Sequence, residues 1–214
     1  KNVDLFNVQG LLLQQDSFDR DKIRKVLWFK PLPGDIFVGS YPRSCSTLAQ
    51  YIIWSLFHEG KPLPDFHTLL TKEFPCIEVV DADTVSPRNG SPRLVKHHLP
   101  QAFSPSGADG QARRGAEEPP STSAPPTMYH LGKGYEGNFS DFFECFTRGE
   151  VAFGDYFGPR AVLVRSGGTI PNVLLLCYEE MRKDPNRKRA SRWRSLWAWK
   201  PVKTDWLRWP VTLD

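Results

Sequence analysis

The 214-residue chain reads as an α/β protein, a P-loop-type open parallel sheet flanked by helices. Three apolar runs predict the sheet: Asp35 to Gly39, the short Leu94-Val95, and Val173 to Cys177. Unbroken runs of this kind belong to strands covered on both faces, as parallel sheets require. After Gly39 the chain continues Ser40-Tyr41-Pro42-Arg43-Ser44-Cys45-Ser46-Thr47-Leu48, a small-residue loop that leads into a helix, which is the order of a phosphate-binding loop. Backbone N–H groups that open a helix have no partner within it and carry the positive end of its dipole. A phosphate or sulfate is held there with few side chains.

Taken in order, Pro31-Leu32-Pro33-Gly34 is a turn that delivers the strand from Asp35 to Gly39. The spacing predicts a helix from Thr47 to about Glu59, because Leu48, Tyr51, Ile52 and Leu56 fall at i, i+3, i+4 and i+8 on one face. Ser46 or Thr47 would cap it, and Gly60-Lys61-Pro62-Leu63-Pro64 ends it. The strand at Leu94-Val95 carries Lys96 and His98 at its carboxyl end, so this segment and the loop after Gly39 meet on the edge where open α/β sheets bind ligands. Ala161 to Val164 could form a further strand.

Residues 104–127 read as a disordered insertion. Eighteen of these twenty-four residues are Ser, Thr, Pro, Gly or Ala, and none is Val, Ile, Leu or aromatic, so no buried strand is expected there. The chain therefore divides into an N-terminal part of one domain over 1–103, the insertion at 104–127, the remainder of the domain over 128–185 and a basic, Trp-rich tail over 186–214. The net charge of +4 conceals a contrast: Arg182 to Arg208 carries +8 and everything else −4. The tail could be a patch for nucleic acid or an acidic membrane, or an unstructured terminus. A nucleic-acid binder would spread its basic residues over a folded face, and no nucleic-acid partner is expected. Cysteines 45, 76, 145 and 177 have neither metal-ligand spacing nor a paired framework, which suits reduced thiols in a cytoplasmic protein. No apolar leader or membrane-spanning run is present in the sequence as given.

The loop does not match G-x-x-x-x-G-K-[ST], so a kinase or ATPase is not supported. It does resemble the Y-P-K-S-G-T-T-W loop of the cytosolic sulfotransferases, which holds the 5'-phosphosulfate of 3'-phosphoadenosine 5'-phosphosulfate (PAPS). Three further stretches are similar to that family, in the family's order. Pro92-Arg93-Leu94-Val95-Lys96-His97-His98-Leu99-Pro100 resembles P-R-x-x-K-T-H-L-P. Phe139 to Phe157 resembles the helix before the family's G-x-W/Y-F segment, and Pro171 to Asp184 resembles P-N-V-L-F-L-x-Y-E-x-M-K-x-D. Together with Tyr51 to Glu73 these cover roughly half to two-thirds of the chain.

The departures are specific. Cys45 replaces the loop glycine, Arg43 its lysine and Leu48 its tryptophan. The family's hydrophobic strand and R-N-P-x-D-x-x-x-S stretch, whose arginine and serine grip the 3'-phosphate, give way to Ser104–Thr127, and similarity resumes at Met128-Tyr129-His130. The C-terminal R-K-G-x-x-G-x-W-K clamp has no counterpart in Asn186 to Asp214.

The resemblance implies transfer of a sulfuryl group from PAPS to a hydroxyl or amine of a small apolar acceptor, such as a phenol, steroid or catecholamine. His98 would be the base, with Arg43 and Lys96 stabilising charge. The nucleotide would rest on Arg43, Ser44, Cys45, Ser46, Thr47 and Leu48, with Tyr178 near the adenine and no metal required. Without the resemblance, Arg43 and the loop hydroxyls could equally be a plain helix cap with a surface cation, and Tyr178 an ordinary strand-end tyrosine. His97 would be incidental. The alternative is a catalytically impaired remnant, splice form or faulty gene model lacking the 3'-phosphate-binding elements.

Overall fold

The structure is a computed structural model and describes residues 4–32, 34–44, 46–58, 61–86, 92–100, 114–118, 135, 137–157 and 173–175. The chain opens with a hairpin, β1 (Leu5–Val8) against β2 (Leu11–Gln14). Gln9 and Gly10 between them have φ of 53° and 95°, the two positive values that a tight primed turn needs to match strand twist. Alternation points Phe6, Val8, Leu11 and Leu13 inward. Helix α1 (Arg20–Leu27) follows; the Asp19 carboxylate accepts from the N–H groups of Asp21 and Lys22, and Ile23 and Val26 are buried.

The central sheet has four parallel strands in the order β4-β3-β5-β6, namely β3 (Ile36–Ser40), β4 (Leu94–His97), β5 (Arg114–Glu118) and β6 (Val173–Leu175). The expected strands are thus present, with 176 and 177 outside the described residues. All of β3 is buried, and its side chains feed two cores in turn. Ile36 and Val38, with Leu94, join Ala49, Ile53 and Trp54 of α2 (Ser46–Phe57) on one face. Phe37 and Val95 join the hairpin, α1 and Phe142 and Phe146 of a later helix on the other. Between α2 and β4, a helical turn α3 (Phe66–Thr68) widens into a π-helical Leu69–Glu73 and delivers Cys76, which bridges to Lys96 beside β4. That later helix, α4 (Phe139–Thr147), is capped by Asn138, whose side chain accepts from the Asp141 N–H. No helix among the described residues is long and apolar enough to cross a membrane.

Three expectations are corrected. Arg114–Glu118 lies inside the stretch read as disordered, yet it is a strand paired with β3 on one side and β6 on the other. A ladder is made by backbone groups, and these five residues contain no proline. Pro119-Pro120, which lack the N–H to continue it, follow at once. The rest of 104–127, the run Ala161 to Val164 and the tail 186–214 lie outside the described residues. Second, the deepest face of α2 is Ser46, Ala49, Gln50, Ile53 and Trp54, with Leu48, Tyr51 and Ile52 only half-buried at its margin. Ala49 packs with Ile36 and Val38 of β3, and the Gln50 amide donates to the Phe74 carbonyl at 2.9 Å, so a polar residue sits inside. The Leu56 side chain lies outside the described residues. Third, α2 opens at Ser46, which puts Ser46 and Thr47 in its first turn and not at its cap.

One ion pair joins the amino ends of β3 and β4. The Arg93 guanidinium donates to both Asp35 oxygens, at 2.8 and 2.5 Å, and to the carbonyls of Val85 and Lys30 at 3.0 and 3.1 Å. The Leu32 N–H also donates to Asp35, at 2.7 Å, and the Phe29 ring covers the guanidinium at 5.0 Å. Asp35 is 2% exposed and Arg93 9%. Removing one charge strands the other in a dry site. Arg93→Met should therefore cost about 3 to 5 kcal/mol in a urea titration, and Asp35→Leu added to it should recover most of that loss. A single-variant loss below about 1 kcal/mol, the range of an exposed pair, would contradict this account.

Candidate active site

The predicted loop and histidine converge at the carboxyl ends of β3 and β4. The sheet order makes β3 and β5 the strands from which successive connections run in opposite directions, to β4 and to β6, so the loop after β3 sits at the switch point of the sheet.

Ser44 N–H donates to the Tyr41 carbonyl at 3.2 Å, closing a four-residue turn. Pro42 supplies its second residue with a fixed φ, and Arg43 its third at φ 67°. That is the position of a type II turn where glycine is usual. A non-glycine residue held there costs about 1 to 2 kcal/mol. The turn is tied down by Tyr41, which is buried. Its hydroxyl donates to the Ala152 carbonyl at 3.2 Å, and its ring meets those of Tyr156 and Phe146 edge-on at 4.9 and 6.0 Å. Arg43 is exposed, and no hydrogen bond or ion pair involves it among the described residues. Ser44 is 1% exposed and its hydroxyl has no hydrogen-bond partner among them. Cys45 lies outside the described residues. Ser46 is buried, Thr47 and Leu48 are half-buried, and the first turn of α2 holds no acidic residue. A helix start with a cation beside it, no acidic residue in its first turn, and a buried hydroxyl unmatched among the described residues has the chemistry that suits an anion.

His98 follows directly on β4, whose last residue, His97, pairs in register with Gly39. Its Nδ1 is 2.8 Å from the Ser40 carbonyl oxygen and 3.3 Å from the Ser40 hydroxyl. A carbonyl only accepts, so Nδ1 carries the hydrogen, and the neutral ring then bears its lone pair on Nε2. Phe153 stands edge-on to the imidazole at 5.8 Å, itself at φ 67°. Two side-chain-bearing residues in the left-handed region thus flank the histidine and the loop. Lys96, 5% exposed, lies two residues earlier. His97 is buried on the other side, with its ring edge to Phe37 at 6.2 Å.

Glu78 carries no signal in the sequence. It is 2% exposed, accepts the His98 backbone N–H on one oxygen, and accepts the Cys76 thiol on the other at 3.1 Å. Burial pushes its carboxyl above the ordinary range, while the His98 N–H, the Cys76 thiol and the Lys96 charge pull the other way. Burial, with Glu78 beside it, also pushes the Cys76 thiol well up, so this cysteine is an inert core residue. A cleft of about 360 Å³ bordered by His58, Glu73 and Arg93 lies at the opposite end of β4 from His98. Tyr178 lies outside the described residues.

No family model matches the chain. Human sulfotransferase 4A1 is 25% identical over 186 residues, which are 84% of this chain and 64% of that protein. The chain thus spans less than two-thirds of the length of this relative. Among solved structures, mouse sulfotransferase SULT7A1 complexed with PAP superposes with a TM-score of 0.64 at 20% identity, covering 90% of this chain and 68% of that one. Retinol dehydratase in a complex with retinol and PAP gives 0.65 at 19% identity, covering 96% and 72%. The chain is similar in sequence to sulfotransferases and has the sulfotransferase fold.

Proposed function

We propose that this chain transfers a sulfuryl group from PAPS to a hydroxyl or amine of a small apolar acceptor in the cytoplasm. The observation that carries the reading is the meeting of an anion-ready helix start with a histidine whose tautomer is set. The turn of Tyr41 to Ser44 and the first N–H groups of α2 would hold the phosphosulfate, and the buried Ser44 hydroxyl would gain there the partner it lacks among the described residues. Arg43 and Lys96 supply positive charge where the bridging oxygen departs. His98 takes the acceptor proton on Nε2, with Nδ1–H anchored on the Ser40 carbonyl. The apolar acceptor class is supported by retinol dehydratase, a structural neighbour crystallised with retinol and PAP, and by the Phe153 ring beside His98.

One observation favours a second reading, a catalytically impaired chain of the same fold. β5 ends in Glu117 and Glu118, in register with Gly39 and Ser40, so the strand beside the loop brings two acidic residues to the edge where the nucleotide would bind. The sequence as given has no match to the basic segments that grip the 3'-phosphate in the family it resembles. Each lost charge-assisted hydrogen bond is worth about 1.5 to 3 kcal/mol.

A sulfation assay with PAPS and a panel of phenols and steroids separates the two. Under the first reading the chain turns over, and His98→Ala lowers the rate at least about 100-fold. Turnover unchanged in His98→Ala would refute the assignment of the base. Arg43→Gly tests the loop independently: released from its left-handed φ, the chain should gain up to about 1 kcal/mol of stability while losing nucleotide affinity. A variant that binds nucleotide as tightly as the parent would remove Arg43 from the site.

A further inference from the structure

The way His98 is held points to a residue acting on it through the backbone. Beside β4, the Lys96 N–H donates to the Pro75 carbonyl at 2.9 Å and the Lys96 carbonyl accepts the Ile77 N–H at 3.1 Å, the two bonds of a parallel pairing. The next rung would run from the His98 N–H to the Ile77 carbonyl. The chain instead turns at Cys76, whose carbonyl takes the N–H groups of Val79 and Val80 at 2.9 and 3.0 Å. The Glu78 carboxylate reaches back and accepts the His98 N–H in place of that carbonyl. His98 is therefore gripped twice, by Glu78 at its backbone and by Ser40 at its ring. A carboxylate 2% exposed is a costly means of extending a ladder by one rung. Its second oxygen accepts the Cys76 thiol, so each oxygen of the group has a partner.

We propose that Glu78 is the positioning residue for His98, placing the imidazole against Ser40 at the root of the phosphate loop. The kinetic consequence rests on the sulfotransferase reading, whereas the geometric claim does not. Both are tested on the full 214-residue chain with Glu78→Gln, which keeps an acceptor oxygen, and Glu78→Met, which keeps the bulk and has none. By NMR of histidine-labelled protein, the His98 Nδ1–H, bonded to the Ser40 carbonyl, should exchange slowly in the parent and in Glu78→Gln, and at least about tenfold faster in Glu78→Met. With PAPS and an acceptor, Glu78→Met should lose about 100-fold in kcat with little change in the KM for PAPS, and Glu78→Gln should recover most of that loss. Unchanged ring-proton exchange in Glu78→Met, or fast exchange in Glu78→Gln, overturns the proposal. If Glu78→Met does not melt cooperatively, Glu78→Gln decides alone, slow exchange supporting the proposal and fast exchange overturning it. A parent chain that sulfates nothing refutes the reaction, and the exchange measurement still decides the positioning claim.

Discussion

The buried pair of Asp35 and Arg93 is the constraint on which the rest depends. It joins β3 and β4 at their amino ends, while the proposed site lies at their carboxyl ends. Five residues of β3, roughly 16 Å of strand, separate the two. Register is carried over that distance by the ladder and by the two cores packed on its faces, and a slip of one residue would turn each side chain of a strand to the opposite face. With Ile36 opposite Leu94 and Gly39 opposite His97, His98 arrives beside Ser40. Because a bidentate guanidinium fits one carboxylate geometry, the pair selects this register as well as tolerating it.

At the far end, stability is given up where chemistry would need it. Arg43 and Phe153 occupy a backbone region that disfavours side chains, Ser44 buries a hydroxyl without a partner among the described residues, and Glu78 buries a carboxylate. Each is unfavourable by itself, and together they surround one histidine and one helix start. The neighbouring structure over-determines them: Tyr41 is held by α4 and the segment after it, and Phe153 donates its N–H to the Leu12 carbonyl of the hairpin at 2.8 Å. Strain clustered in this way is characteristic of binding and catalytic sites, and the two layers of apolar packing about β3 offset it.

Much of this was legible in the sequence, for identifiable reasons. Strands buried on both faces read as apolar runs, so β3 and the start of β4 stood out, and the order of strand, small-residue loop and helix marked the candidate site. β5 was not legible, because Arg-Gly-Ala-Glu-Glu carries no apolar signature and its membership of the sheet is expressed in backbone pairing with β3 and β6. The face of α2 is not legible because the helix is apolar nearly all round, and the side chains it buries deepest include Ser46 and Gln50 beside Ala49 and Ile53. Glu78 was hidden for another reason. A lone acidic residue in Cys-Ile-Glu-Val reads as surface, and only the turn at Cys76 brings it beneath His98. The hairpin and α1 did carry signals, the Gln9-Gly10 turn and the Asp19 cap before Ile23 and Val26.

The central claim is that the loop between β3 and α2 is a nucleotide phosphosulfate site. Its most direct test is the thermal unfolding of the 214-residue chain with and without excess adenosine 3',5'-bisphosphate, the product nucleotide. Ligand at a hundred times its dissociation constant adds about 2.7 kcal/mol, which a cooperative melt reports as a clear rise. The account predicts that rise; a cooperative transition that stays where it was at saturating nucleotide would contradict it.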